Sequence, residues 1–381
     1  MTLPDSYMKM YSTLHSNGTL TMDMSEEAMP QPKSGEILVR VEATPINPSD
    51  LGVMFGWADM SGARTEGKAS DSVLSMPVPQ QGMGVMKARI DQRLAIGNEG
   101  AGTVVAAGDD DYSQSLMGKT VAIMGGGMYG QYRCVPSMMA LPLKDEHSAR
   151  DGASSFVNPL TALSMVEVLK MEGHKALVHT AAASNLGQML NRICQADGVD
   201  LVNIVRKQEQ VDMLKSMGAK YVVNSSDQDF LAQLTDAVHE TGATLAFDAT
   251  GGGTLASDIL TAMEMAAART PSEYSIYGST THKQVYIYGG LDTSATILTR
   301  SYGFAWGIGA FLLPNFLAKA GMEVAARLRA RVAEELTTTF ASHYTDKISM
   351  IDALQVDIAQ RYYAKTTGEK FLILPQQGLQ S

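Results

Sequence analysis

The chain has 381 residues and a mass of 40.8 kDa, which at about 150 residues per domain predicts two to three domains. Its 30 basic and 40 acidic residues leave a net charge of −10, which argues against a nucleic-acid-binding surface. With 18 % charged and 45 % hydrophobic residues, composition excludes a disordered chain and favours large buried cores. Two cysteines, Cys134 and Cys194, can form neither a disulfide framework nor a four-cysteine zinc site.

The segment from Met1 to Lys9 lacks a basic stretch followed by an apolar one, so a cytoplasmic protein is expected. The first 150 residues predict a β-rich, antiparallel, barrel-like domain. Glu36–Glu42 alternates as a strand should, and Gly102–Gly108 and Thr120–Met124 are short apolar runs bounded by glycine or charge. Residues 57–92 show no steady period and predict a long loop with a short helix, an insertion beside the active site that selects substrates for size. Methionines there, such as Met76, Met83 and Met86, suit adaptable surfaces or irregular core space.

From about residue 155 strands and helices alternate. Strands are expected at 176–180, 201–205, 221–223, 244–248 and 285–288, with helices at 159–171, 186–196, 209–217, 230–240 and 255–268. This pattern predicts an α/β, doubly wound parallel sheet. Its strands are near-continuous apolar runs, as expected when both faces are covered. Residues 269–283 read as an insertion before the fifth strand. Ser301–Ala318 carries no charge, but Gly303, Gly307, Gly309 and Pro314 predict a buried loop and helix rather than a membrane span. Helices at 322–336 and 348–360 precede a last strand, Lys370–Leu374, expected to return to the first domain. The resulting domains are 1–154, 155–329 and a returning 330–381.

Two places suggest chemistry. After the first parallel strand comes Thr180-Ala-Ala-Ala-Ser184-Asn185-Leu-Gly187. A dinucleotide fold needs small residues there, because backbone must approach a pyrophosphate at a helix N-terminus. Of the usual glycines, Gly187 remains. The second strand ends in Arg206-Lys207, where NAD-binding folds carry an acid for the ribose hydroxyls. Cations at that point favour the extra phosphate of NADPH, which a guanidinium binds bidentately.

Ala43–Asp50 (ATPINPSD), Gly97–Gly102 (GNEGAG), Val157–Ala162 (VNPLTA) and Phe247–Gly252 (FDATGG) together resemble the medium-chain dehydrogenase/reductase superfamily. Within it, the chain is similar to the zinc-independent quinone oxidoreductases and enoyl thioester reductases, in order from about Glu36 to Leu374. The resemblance implies a GroES-like β-barrel catalytic domain split around a Rossmann-type domain, with NADPH in the cleft between them. It places Thr161 at the nicotinamide, Ser184, Asn185 and Gly187 at the pyrophosphate, and Arg206 with Lys207 at the 2′-phosphate. It sets Thr250 and Gly251 near the nicotinamide-side ribose and Gly289 and Gly290 at the carboxamide, with Phe311 and Leu312 closing over the ring.

Asn47 and Asp50 face the substrate on this reading, Asn47 steadying the developing oxyanion. No metal is expected. Asn98 stands where zinc-dependent members have histidine, Asn47 where a cysteine ligand would be, and the seven histidines are scattered. Enoyl thioester reductases carry a tyrosine where this chain reads Phe55-Gly-Trp57, which leaves Tyr129 as a candidate proton donor. The implied function is reduction of a small-molecule quinone or enone by NADPH in a homodimer, with no nucleic acid or membrane involved. A 2-enoyl thioester reductase and a non-catalytic NADPH-binding protein are the alternatives.

Overall fold

A computed structural model describes residues 3–269 and 275–379. Residues 270–274, within the second expected insertion, lie outside the described residues. The chain divides into two compact units, Met1–Val157 with Arg329–Ser381, and Asn158–Leu328.

The first unit is built from two mainly antiparallel sheets. One has the order Arg64–Glu66, Val73–Pro77, Thr19–Ala28, Ser6–Leu14, Arg93–Ala95. The other runs Leu141–Pro142, Thr120–Met124, Glu99–Ala107, Glu36–Pro45, Phe371–Ile373, Asp346–Ile348, with Tyr132–Pro136 also paired to Glu36–Pro45. The last strand thus returns to the first unit, between Glu36–Pro45 and Asp346–Ile348.

Residues 57–92 correct the loop expectation. They contain strand Val73–Pro77, paired with Thr19–Ala28, and helix Gln80–Val85. Leu74, Met76, Val78 and Met86 are buried in the core with Met10, Leu20 and Met22, and Met83 packs against it. The methionines therefore fill irregular core space rather than form a substrate surface. The opening hairpin, Ser6–Leu14 with Thr19–Ala28, carries the period-2 signal Leu20-Thr-Met22-Asp-Met24, whose apolar members are buried.

The second unit has a parallel sheet of six strands in the order Tyr221–Asn224, Asp200–Val205, Ala176–His179, Leu245–Asp248, Lys283–Ile287, Trp306–Ala310. Numbered along the chain, this is 3-2-1-4-5-6, the doubly wound Rossmann arrangement, in which ligands bind beyond the carboxyl ends of the strands. One core face packs Val178, Ile204, Ala246 and Val285 under helices Phe230–Thr241 and Leu255–Ala268. The sixth strand corrects the reading of 301–318. Trp306-Gly-Ile-Gly-Ala310 is a half-buried strand, followed by helix Leu313–Ala320. A Cβ at Gly307 would lie 2.5 Å from Gln284 Oε1 and one at Gly309 3.2 Å from the Tyr286 ring, so larger residues there would displace these side chains. Among the described residues, no helix is long and apolar enough to cross a membrane.

The 269–283 segment ends in a buried ion pair. Lys283, 1 % exposed at its side chain, donates to Glu264 Oε2 at 2.6 Å, Ser279 Oγ at 3.0 Å and the Thr281 carbonyl at 3.1 Å. All three ammonium protons thus have acceptors, which a buried charge requires.

Candidate active site

In the first unit, helix Pro48–Met54 opens beside strand Glu36–Pro45 and brings Asn47 and Asp50 into the core. Asn47 Nδ2 donates to Glu99 Oε1 at 2.8 Å, and the Asn47 backbone N–H donates to Asp50 Oδ2 at 2.8 Å. Asp50 Oδ1 accepts the Asn98 N–H at 2.8 Å. Glu99 Oε2 accepts the N–H groups of Phe156 and Val157 at 2.7 and 2.9 Å. Both carboxyls are essentially unexposed. Burial pushes Asp50 up to about 7 despite its N–H donors, and it raises Glu99 too. Burial also holds the Lys370 ammonium down, at about 8, against the pull of Glu99 and Asp50. Lys370 Nζ and Tyr344 Oη each donate to Ser154 Oγ at 2.9 Å.

These distances bear on two expected roles. Asn47 spends an amide N–H on Glu99, and the buried atom it leaves without a partner is Oδ1, an acceptor. That bond uses one of the two Nδ2 N–H groups, so Asn47 keeps a donor of the kind an oxyanion needs. Tyr129 is fully buried, and its hydroxyl donates to the Pro45 carbonyl at 3.1 Å. Burial and the Asp50 charge raise its pKa well above 10. A phenol so placed is a packed core group, and Gly97 exists to admit its ring, because a Cβ there would lie 2.4 Å from it. Phe55 is likewise core, stacked on Tyr362 and edge-on to Tyr363.

In the second unit the site residues gather at the carboxyl ends of the parallel strands. Ser184 caps helix Asn185–Asp197, its hydroxyl accepting the Gly187 N–H at 3.2 Å. A Cβ at Gly187 would lie 2.2 Å from the Ala182 carbonyl oxygen, so glycine is what lets helix and turn touch, the role of the third fingerprint glycine. Ala181 takes φ 50°, a left-handed value that glycine adopts more cheaply.

Arg206 and Lys207 are exposed at the end of the second strand. The Arg206 backbone is held by Gln210 Oε1 at 3.0 Å and by the Ser226 hydroxyl at 2.9 Å. Asp248, fully buried, accepts the Thr180 hydroxyl at 2.7 Å and the N–H groups of Thr250 and Gly251 at 2.8 and 3.0 Å. It thereby shapes the turn expected beside the ribose. A Cβ at Gly289 would lie 2.5 Å from the Ala249 carbonyl oxygen, whereas Gly290 has open space.

His179 is a core residue, its Nε2 2.7 Å from the Tyr288 hydroxyl, and burial lowers its pKa to about 3. Phe311 packs edge-on to Phe247 and tilted to Phe316, while Leu312 is exposed. Thr161 is buried in helix Val157–Glu172.

Two family models match the chain: the alcohol dehydrogenase GroES-like domain over residues 33–145 and the zinc-binding dehydrogenase over residues 186–269, together more than half of its length. The chain belongs to the medium-chain dehydrogenase/reductase family.

Among curated members of this family, mouse (Mus musculus) prostaglandin reductase-3 is 28 % identical over 229 residues, covering 59 % of this chain and 52 % of the relative. A mitochondrial enoyl-[acyl-carrier-protein] reductase of Caenorhabditis elegans is 24 % identical over 206 residues, covering 53 % and 51 %. The matched segment thus spans about half the length of these curated relatives. The crystal structure of a candidate NADPH:quinone reductase from Mesorhizobium loti superposes with a TM-score of 0.72 and 26 % identity, covering 98 % of this chain and all of that one.

Although one matching model is described as zinc-binding, the residues here do not fit that metal. Asn47 and Asn98 supply amides where thiolate or imidazole ligands are needed, and Asn47 is already bonded to Glu99. Among the described residues no group of three or more His, Cys, Asp or Glu is arranged to hold an ion. Glu99, Asp248 and Tyr288 join the site through partners 52 to 109 residues away, which no local spacing announces. Glu99 and Asp248 each lie in a run that carries the family resemblance, Gly97–Gly102 and Phe247–Gly252, whereas Tyr288 lies in none.

Proposed function

We propose that the Asn158–Leu328 unit binds NADPH and that the protein reduces a quinone or an α,β-unsaturated carbonyl without zinc. The observation that carries the cofactor choice is the pair of exposed cations, Arg206 and Lys207, at the end of the second parallel strand. When bound, the nicotinamide supplies a hydride. The chain's own part is to hold it. The Ser184–Gly187 turn offers backbone at a helix N-terminus, Arg206 and Lys207 neutralise the 2′-phosphate, and Asp248 fixes the Thr250–Gly251 turn. Gly289 and Gly290 leave room for the carboxamide, and the Phe311–Leu312 segment lies over the ring. Solvent supplies the proton, since the buried Tyr129 hydroxyl donates to the Pro45 carbonyl and burial holds its proton tightly. The prostaglandin, enoyl and quinone reductases among the relatives support reduction as the reaction class.

The enoyl reductase relative supports 2-enoyl thioester reduction as a second reading. Phe55, buried where such enzymes place a tyrosine, opposes it. A homodimer is part of the proposal, supported by strand Trp306–Ala310, which stands at an end of the sheet order.

The test is NADPH consumption with a simple quinone and a short 2-enoyl thioester in parallel. Turnover of the quinone alone supports the first reading, and preference for the thioester replaces it with the second. Arg206→Ala should weaken NADPH by about 1.5–3 kcal/mol, the value of a charge-assisted hydrogen bond, and leave NADH nearly unchanged. Equal weakening of both cofactors rejects Arg206 as the phosphate reader.

A further inference from the structure

Beyond the fourth and fifth strands the chain continues as a small parallel ribbon, Gly251–Gly253 beside Asp292–Thr296. The Asp292 N–H donates to the Thr250 carbonyl at 2.9 Å, the Thr296 hydroxyl to the Gly251 carbonyl at 2.7 Å, and the Ile297 N–H to the Gly253 carbonyl at 2.9 Å. Asp292 opens the second arm. Its carboxylate rests directly on Gly252, where a Cβ would lie 2.7 Å from Cγ and Oδ1, and it accepts the Ser294 N–H at 2.8 Å. Packing on one side and a hydrogen bond on the other hold this exposed acid in place.

The sheet order sets what it faces. The second and fourth strands flank the first. Neighbouring strands lie about 4.8 Å apart, so the end of the second strand and the prolongation of the fourth are about 10 Å apart. Between them sits the Thr180–Ser184 turn, over which a nucleotide would lie. The long Arg206 side chain starts on one side of that gap, and the Asp292 carboxylate stands on the other. The Ser294 groups first, and the Arg206 charge as well, hold the Asp292 carboxyl below the usual carboxylate range.

We propose that Asp292 is a specificity-determining residue of the nucleotide site, an acid that opposes the 2′-phosphate Arg206 attracts and so moderates the preference for NADPH over NADH. The proposal rests on the NADPH reading above. An acid is the usual partner of the adenosine ribose in NAD-binding folds, where it projects from the end of the second strand. Here that position is basic, and the acid comes from a ribbon more than 80 residues later in the chain. A phosphate carries a charge of about −1.5 to −2, whereas the hydroxyl it replaces in NADH is neutral. Asp292 therefore repels one cofactor and not the other. Through water, over a distance of this order, one carboxylate against a phosphate changes affinity roughly two- to fourfold at low salt.

The experiment is fluorescence titration of the whole protein with NADPH and with NADH at about 20 mM and about 500 mM salt, spanning weak and strong screening. At low salt, Asp292→Asn should bind NADPH roughly two- to fourfold more tightly than the wild type and bind NADH unchanged, with the NADPH gain shrinking at high salt. Asp292→Glu, which keeps the charge, should restore the wild-type ratio. A purely structural role would shift both cofactors by one factor, independent of salt, and that result overturns the proposal, as does an unchanged NADPH affinity at low salt. Arg206→Ala in the same titrations separates the two readings. If it fails to discriminate between the cofactors, the NADPH reading falls. If it discriminates and Asp292→Asn does not, only the role of Asp292 falls.

Discussion

Asp50 gives a stability prediction that local structure alone would not suggest. Its carboxyl titrates at about 7 in the folded protein against 3.8 in the unfolded chain, because burial penalises its charge more than the Asn47 and Asn98 N–H groups favour it. A folded-state pKa raised in this way means the fold holds the proton more tightly. Its stabilising effect is complete below about pH 3.8, is lost as pH rises towards 7, and stays lost above it. The full difference is on the order of 4 kcal/mol, and the part between pH 5 and pH 8 is about 2–3 kcal/mol. Asp50→Asn removes the titration. It also leaves one backbone N–H without its acceptor, a cost of about 1–3 kcal/mol that does not vary with pH.

The assay is urea unfolding at several pH values in a Trp306→Phe background. Trp57 is then the single tryptophan and reports the first unit. The stability of the protein that retains Asp50 should fall relative to the Asp50→Asn variant by about 2–3 kcal/mol from pH 5 to pH 8. A difference that stays flat over that range refutes the reasoning.

Gly187→Ala should destabilise the second unit by about 1–3 kcal/mol, measured by Trp306 fluorescence, and weaken NADPH binding, because its methyl meets the Ala182 carbonyl. Tyr129→Phe should cost about 1 kcal/mol and leave reductase turnover unchanged, and a hundredfold loss of turnover in a folded variant would reinstate Tyr129 as the proton donor. Lys283→Met should cost about 3–5 kcal/mol by stranding Glu264, and the Lys283→Met, Glu264→Leu double variant should recover much of that in urea unfolding followed by Trp306 fluorescence in a Trp57→Phe background.

The second unit was legible because its strands are unbroken apolar runs separated by helices with clear ends, so that helix Leu255–Ala268 is read to the residue. The sixth strand escaped, because Gly307 and Gly309 look like loop residues and the strand is defined by its pairing with Lys283–Ile287. In the first unit the 57–92 segment failed for a related reason. Strand Arg64–Glu66 is three residues long and exists only by pairing with Val73–Pro77, and no local period marks such a strand. The local structure at Ser184 and Gly187 was readable from position in the motif, as a helix cap and a close contact of helix and turn. The bond from Asn47 to Glu99 was not, because its partners stand 52 residues apart. Asp292 was invisible for the same reason.

The return of the last strand has a consequence for synthesis. The core of the first unit includes Ile348, Met350, Phe371 and Ile373 alongside Met10, Leu51 and Met76, so it cannot close until strand Phe371–Ile373 has left the ribosome. The inner unit, Asn158–Leu328, is continuous in sequence and has all its strands once the chain has passed residue 328. Vectorial synthesis therefore favours completing the inner unit first, while the earlier-made β hairpins wait with their apolar faces uncovered. During that interval the nascent chain is most exposed to chaperones, and a stop codon before Phe371 would leave the first unit without the strand that closes it.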